Sequence, residues 1–157
     1  MSKLQKLSES YTWVSEIGSR MVIELKKTHD MLDEIFNRCF QQYGISNAKF
    51  NMLVLLYREG DKGLMLSELG EKMLVTKSNI TGMVDRLEKQ GFVKRVRDDG
   101  DRRIIKAVMT GKGREFTVNI IEKYREWTEK IMEILDENEK NCMINVLRKL
   151  QKGLVEF

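Results

Sequence analysis

The chain has 157 residues, no proline, 41% apolar and 33% charged residues, which bounds it to one mainly helical domain large enough to bury a core without metal or disulfide. It holds no run of 18 apolar residues that would span a membrane, and residues 1–9 lack the apolar stretch of a signal peptide, so a cytoplasmic protein is expected. The net charge of +4 is uneven: residues 1–71 carry −1, residues 72–114 carry +7 and residues 115–157 carry −2, a pattern that fits a nucleic-acid reader or an unevenly charged solvated surface.

Met21, Leu25, Leu32, Ile35, Phe36, Cys39 and Phe40 recur at helical spacing and predict one helix over residues 17–40, closed near Gly44. Ser46 then caps a helix over residues 47–58 that buries Phe50, Leu53, Val54 and Tyr57. Residues 59–63 read as a turn and residues 64–66 as a short edge strand. Ser67 is expected to cap a short helix over residues 68–74, and Thr76 a further helix over residues 77–90, closed by Gly91. Residues 92–97 and 103–109 mix β-branched and charged side chains around the turn signature Asp98-Asp99-Gly100-Asp101, which predicts a hairpin. A helix over residues 111–135, with Phe116, Ile120, Tyr124, Trp127 and Ile131 on one side, precedes a last helix that starts after Asp136.

Two helices joined by a tight break and followed by a hairpin make a winged helix-turn-helix, so the fold class is mainly α with a small β-hairpin wing. In the second of these helices Ile80, Met83, Val84 and Leu87 form the core face, while Lys77, Ser78, Thr81, Gly82 and Asp85 lie opposite. Small polar side chains let a helix sit deep in the major groove and bond base edges or phosphates. The same face also fits an ordinary capped, amphipathic surface helix. Arg95, Arg97, Arg102 and Arg103 surround the hairpin turn, where arginine can enter a narrow minor groove; Asp101 is spaced to pair with Arg103 and orient it. A charged hairpin kept for solubility is the plainer alternative.

The run from Leu66 to Gly70, the run from Thr76 to Arg95, the block Asp99-Gly100-Asp101-Arg102-Arg103 and the following Met109-Thr110-Gly111-Lys112-Gly113 resemble the MarR family of transcriptional regulators. The likeness extends over about residues 17–155. It implies residues 46–109 as the DNA-binding lobe, residues 17–45 and 110–157 as dimerisation helices, and residues 1–16 as an N-terminal extension. It implies an obligate homodimer on a pseudo-palindromic double-stranded operator, most often a repressor released by a small-molecule effector. Ser78, Asn79, Thr81 and Arg86 match the family's recognition helix. Asp101 and Arg103 match its wing pair, with Arg102 between them. With Thr76, Lys77, Gly82 and Arg97 these make the candidate DNA-binding set. The apolar stripes on the first and last helices exceed what a small winged helix covers, which independently favours a dimer.

The resemblance also implies an effector cleft, with candidate lining residues Met21, Leu25, His29, Met52, Tyr57 and Phe116; a methionine or aromatic stripe at helical spacing equally fits plain core. His29 is the only histidine, and no Cys-x-x-Cys or His-Glu-x-x-His spacing exists, so no metal or other cofactor is expected. Cys39 and Cys142 read as reduced structural thiols. No catalytic triad or phosphate-cradling loop is visible, so an enzyme is not expected. The rival reading is a winged helix used as a protein-interaction or scaffold module, which should show apolar residues where this chain has Arg102, Arg103 and small polar groups.

Overall fold

The computed structural model describes residues 15–97 and 104–156. Helix α1 spans Ile17–Gln41. Gly44, at φ +72°, turns the chain, and the Ile45 N–H donates to the Phe40 carbonyl at 3.3 Å. Helix α2, Asn47–Glu59, starts at Ser46, whose hydroxyl accepts from the Lys49 N–H at 3.4 Å. The α1–α2 corner is held on its apolar side by Phe40 stacked on Phe50, ring centroids 4.6 Å apart. On its polar side Asn47 donates to Asp33 at 2.8 Å and its backbone N–H donates to Asn37 Oδ1 at 3.0 Å.

A 3-10 turn over Gly60–Lys62 leads to strand β1, Leu64–Met65. Helix α3 is Leu66–Met73, helix α4 is Lys77–Lys89, and strands β2 and β3 are Val93–Arg97 and Ile105–Met109. The three strands form an antiparallel sheet in the order β1-β3-β2, with Leu64 opposite Ala107 and Val93 opposite Met109. Gly63 makes the β1 approach feasible: at φ +63°, a Cβ there would lie 2.4 Å from the Ala107 carbonyl oxygen.

The short helix begins earlier than its sequence signals. Met65, not Ser67, is the N-cap residue, because the Glu68 carboxylate reaches back to accept from the Met65 N–H at 2.8 Å. Gly70 lets the chain fold back closely: the Val75 N–H donates to the Gly70 carbonyl at 3.1 Å, and the turn between is made by Leu74 in the left-handed region, φ 54° and ψ 41°.

The chain divides into two compact units, residues 1–114 and 115–157. The first holds a core in which Phe40, Leu53, Leu56, Leu69, Ile80, Val84 and Leu87 are fully buried. Its last element, the start of helix α5 (Gly111–Met132), is set by Thr110. The Thr110 hydroxyl accepts from the Gly113 N–H at 3.0 Å and donates to the Gly91 carbonyl at 2.7 Å, so one side chain caps the helix and ties it to the end of α4. Lys112 adds a donation to the Gln90 carbonyl at 2.9 Å.

The second unit contains the rest of α5 and helix α6, Glu137–Val155. Helix α5 stops at Met132, three residues before its expected end. Asp136 caps α6 as its sequence signals: its carboxylate accepts from the Asn138 and Glu139 N–H groups at 2.8 and 2.9 Å, and Glu139 returns the bond. No residue of α6 is buried; Met143, Val146, Leu150 and Leu154 are exposed, as are Ile17, Met21, Val22 and Leu25 of α1 in the first unit. Cys39 is half-buried on α1 and Cys142 is exposed near the start of α6; both are free thiols. Among the described residues no helix is long and apolar enough to cross a membrane.

Candidate nucleic-acid interface

Helix α4 has the two faces that its periodicity predicts. Ile80, Met83, Val84 and Leu87 are buried. On the other side Ser78, Asn79 and Arg86 are exposed, and Thr81, Gly82 and Asp85 are partly exposed. A Cβ built on Gly82 would meet nothing within 4 Å, so no packing inside the protein requires a glycine at this mid-helix position. It leaves the outer surface of the helix low where the neighbouring side chains are small.

Thr76 is the N-cap residue by position only. Its side chain makes no cap bond; its hydroxyl lies 3.2 Å from Ser78 Oγ. The positive end of the α4 dipole therefore faces outward without a side-chain oxygen of Thr76 across it, an arrangement suited to a phosphate.

The hairpin arginines part company. Arg97 is exposed at the end of β2. Arg95, grouped with it by sequence, turns back onto α4: its guanidinium pairs with Glu88 and, at 2.5 Å, with Asp85 Oδ1. Its backbone N–H donates to Glu88 Oε1 at 2.9 Å. Burial by itself would lower the pKa of this guanidinium, but the hydrogen bonds and charges of Asp85 and Glu88 outweigh it and hold the group above its ordinary value. Asp85, placed by sequence on the outward face, is thus engaged by Arg95. Asp101, Arg102 and Arg103 lie outside the described residues, and nothing is described of the Lys77 side chain.

Lys49, near the start of α2, went unnoticed in the sequence. Partial burial, and then the positive charge of Arg86, hold its amino group below the ordinary lysine range. The two cations are close enough to repel. No periodicity signals this, because the two residues lie on separate helices.

The effector candidates lie in different settings. Met21, Leu25 and His29 are exposed on α1; Met52 is fully buried in the core of the first unit, out of solvent's reach. Tyr57 lies beneath the Arg114 guanidinium, 5.7 Å from its ring centre, and Phe116 is a half-buried residue of the second unit. An open cavity of about 440 Å³ along α3 and the following turn is lined by Leu66, Ser67, Gly70, Glu71, Leu74, Val75 and Thr76, none of them an effector candidate. Among the described residues no group of three or more His, Cys, Asp or Glu side chains could hold a metal ion.

Comparison with known proteins places these features in one context. The sequence model of the MarR family matches residues 45–105. The HTH-type transcriptional regulator YfiV of Bacillus subtilis is 34% identical over 110 residues, 70% of this chain and 68% of that protein. The HTH-type transcriptional repressor YetL of the same organism is 27% identical over 150 residues, 96% of this chain and 90% of that one. The structure of Sco3205 from Streptomyces coelicolor, a MarR family transcriptional regulator solved in complex with DNA, superposes with a TM-score of 0.78 at 21% identity, covering 93% of this chain and 92% of that chain.

Proposed function

The chain belongs to the MarR family, and from that premise we propose that it is a DNA-binding transcriptional regulator that reads a two-fold symmetric operator as a cytoplasmic homodimer. The observation that carries the reading is the outer face of α4. It is small, polar and exposed, with an unneeded glycine at its centre, over a fully packed core face. A helix used to dock on protein would present apolar side chains there instead.

In this reading Ser78, Asn79, Thr81 and Gly82 meet base edges in the major groove, and Thr76, Lys77 and Arg86 meet phosphates. Arg97, Arg102 and Arg103 reach the adjacent backbone or minor groove from the wing, with Asp101 orienting Arg103. The exposed apolar rows of α1 and α6 support a dimer, since a second copy would bury them. Two-fold symmetry then sets the recognition helices roughly 34–36 Å apart, on a duplex of about 16–22 base pairs. Repression is the role named for the similar protein YetL, and release by a small-molecule effector is what the family resemblance implies. Such release needs only that the effector favour a half-site spacing that DNA does not match.

The test is selection from a random duplex pool at two salt concentrations. The expected result is an enriched palindrome, with retention that falls steeply with salt. A pool returned without enrichment or salt dependence would instead indicate a protein-docking winged helix. A dimeric mass in light scattering at micromolar concentration is the companion expectation, and a monomer would count against it.

A further inference from the structure

We infer that Arg95 is a positioning residue: it locks the rotation of α4 relative to the wing, and thereby aims the reading face without itself touching DNA. Asp85 and Glu88 stand three positions apart on α4, so both carboxylates project from one side of the helix. Arg95 projects from β2, the strand that runs to the wing tip. Its guanidinium joins both carboxylates, its Nη2 lies 3.5 Å from the Thr81 carbonyl, and its backbone N–H holds Glu88 a second time. Four contacts thus join one strand residue to nearly two turns of the recognition helix.

The planar guanidinium is suited to this task. It can bridge two carboxylates in a fixed plane, whereas an ammonium is a point charge that pairs with one at a time. The Arg95 side chain is only 24% exposed, and its charge is committed to two acids that are themselves 48% and 38% exposed. Thr81 and Asp85 also border the outward face, so the clamp sits at the rim of the surface assigned to base edges. A rotation of α4 by a fraction of a turn would move Ser78 and Thr81 off their register, while leaving the cationic wing free to meet any duplex.

The inference rests on the DNA-reading function proposed above, and its test separates the two. The intact protein, Arg95→Lys and Arg95→Ala are each titrated with the selected duplex and with a random duplex at two salt concentrations, and their melting temperatures are compared. Arg95→Lys is expected to keep the fold, to lose about tenfold or more in affinity for the selected duplex, and to change little on the random one. Its salt slope is expected to match the unmodified protein. In an Asp85→Asn, Glu88→Gln background the same lysine substitution should cost little more, because the clamp is already open. Unchanged discrimination by Arg95→Lys and Arg95→Ala overturns the inference. So does an equal loss on both duplexes with a slope smaller by about one, which marks a direct phosphate contact. If the unmodified protein does not discriminate between the duplexes, the DNA-reading function itself fails and takes this inference with it.

Discussion

Gly113 lies so close to Phe92 that a Cβ on it would fall 2.0 Å from the Phe92 carbonyl oxygen. The same carbonyl accepts from the Thr110 N–H at 3.0 Å, so the chain just after α4 is pinned to the first turn of α5 by backbone contacts. Backbone cannot move aside as a side-chain tip can. Gly113→Ala is therefore expected to destabilise the protein by about 3 kcal/mol, the upper end of overpacking costs. The check is thermal unfolding, where a shift of about 6–12 °C downward is expected for a chain of this size.

Leu74 presents the opposite case. It holds a left-handed conformation that costs an L-residue roughly 1–2 kcal/mol, yet its side chain is 92% exposed and buries almost nothing in return. Leu74→Gly removes that strain and adds unfolded-state entropy worth roughly 0.5–1 kcal/mol against it. The expected net effect is a gain of about 0.5 kcal/mol, read as a higher denaturant midpoint at unchanged slope. A loss of stability would mean that the turn does not hold Leu74 as described.

Gly82 separates stability from function. Alanine at this open helical position is expected to stabilise the fold by about 0.5–1 kcal/mol. If the bare surface admits the helix to the groove, the same substitution weakens binding to the selected duplex. Thermal melts and duplex titrations on one preparation check both signs. A more stable protein that binds as well as before would remove Gly82 from the reading face.

Ser78 and Arg103 should fail in different ways. Ser78→Ala is expected to change sequence preference with the salt slope unchanged, because a base contact carries information but releases no counterion. Arg103→Ala should weaken binding to all duplexes and lower the slope by about one, with a larger loss where A·T-rich flanks narrow the minor groove. Titrations of selected, random and A·T-flanked duplexes at two salt concentrations tell these apart.

The elements and their order are legible in the residues alone. Apolar spacing located α1, α2, α4 and α5 to within a few residues, because a helix that buries one face must repeat its apolar groups with the helical period. Asp136 and Ser46 announced their helices because a cap is a local bond between near neighbours. The outward face of α4 was legible for the same reason: its core face fixes its opposite. Contacts and conformations set by packing between elements carry no such mark. Arg95 faces inward, since two carboxylates on another element hold it more firmly than solvent does. Lys27, a residue that its charge would place outside, is buried on α1. Lys49 meets the charge of Arg86 across two helices, and Leu74 occupies a glycine's conformation. None of these has a local sequence signal, because each is set by where the core places one backbone segment against another.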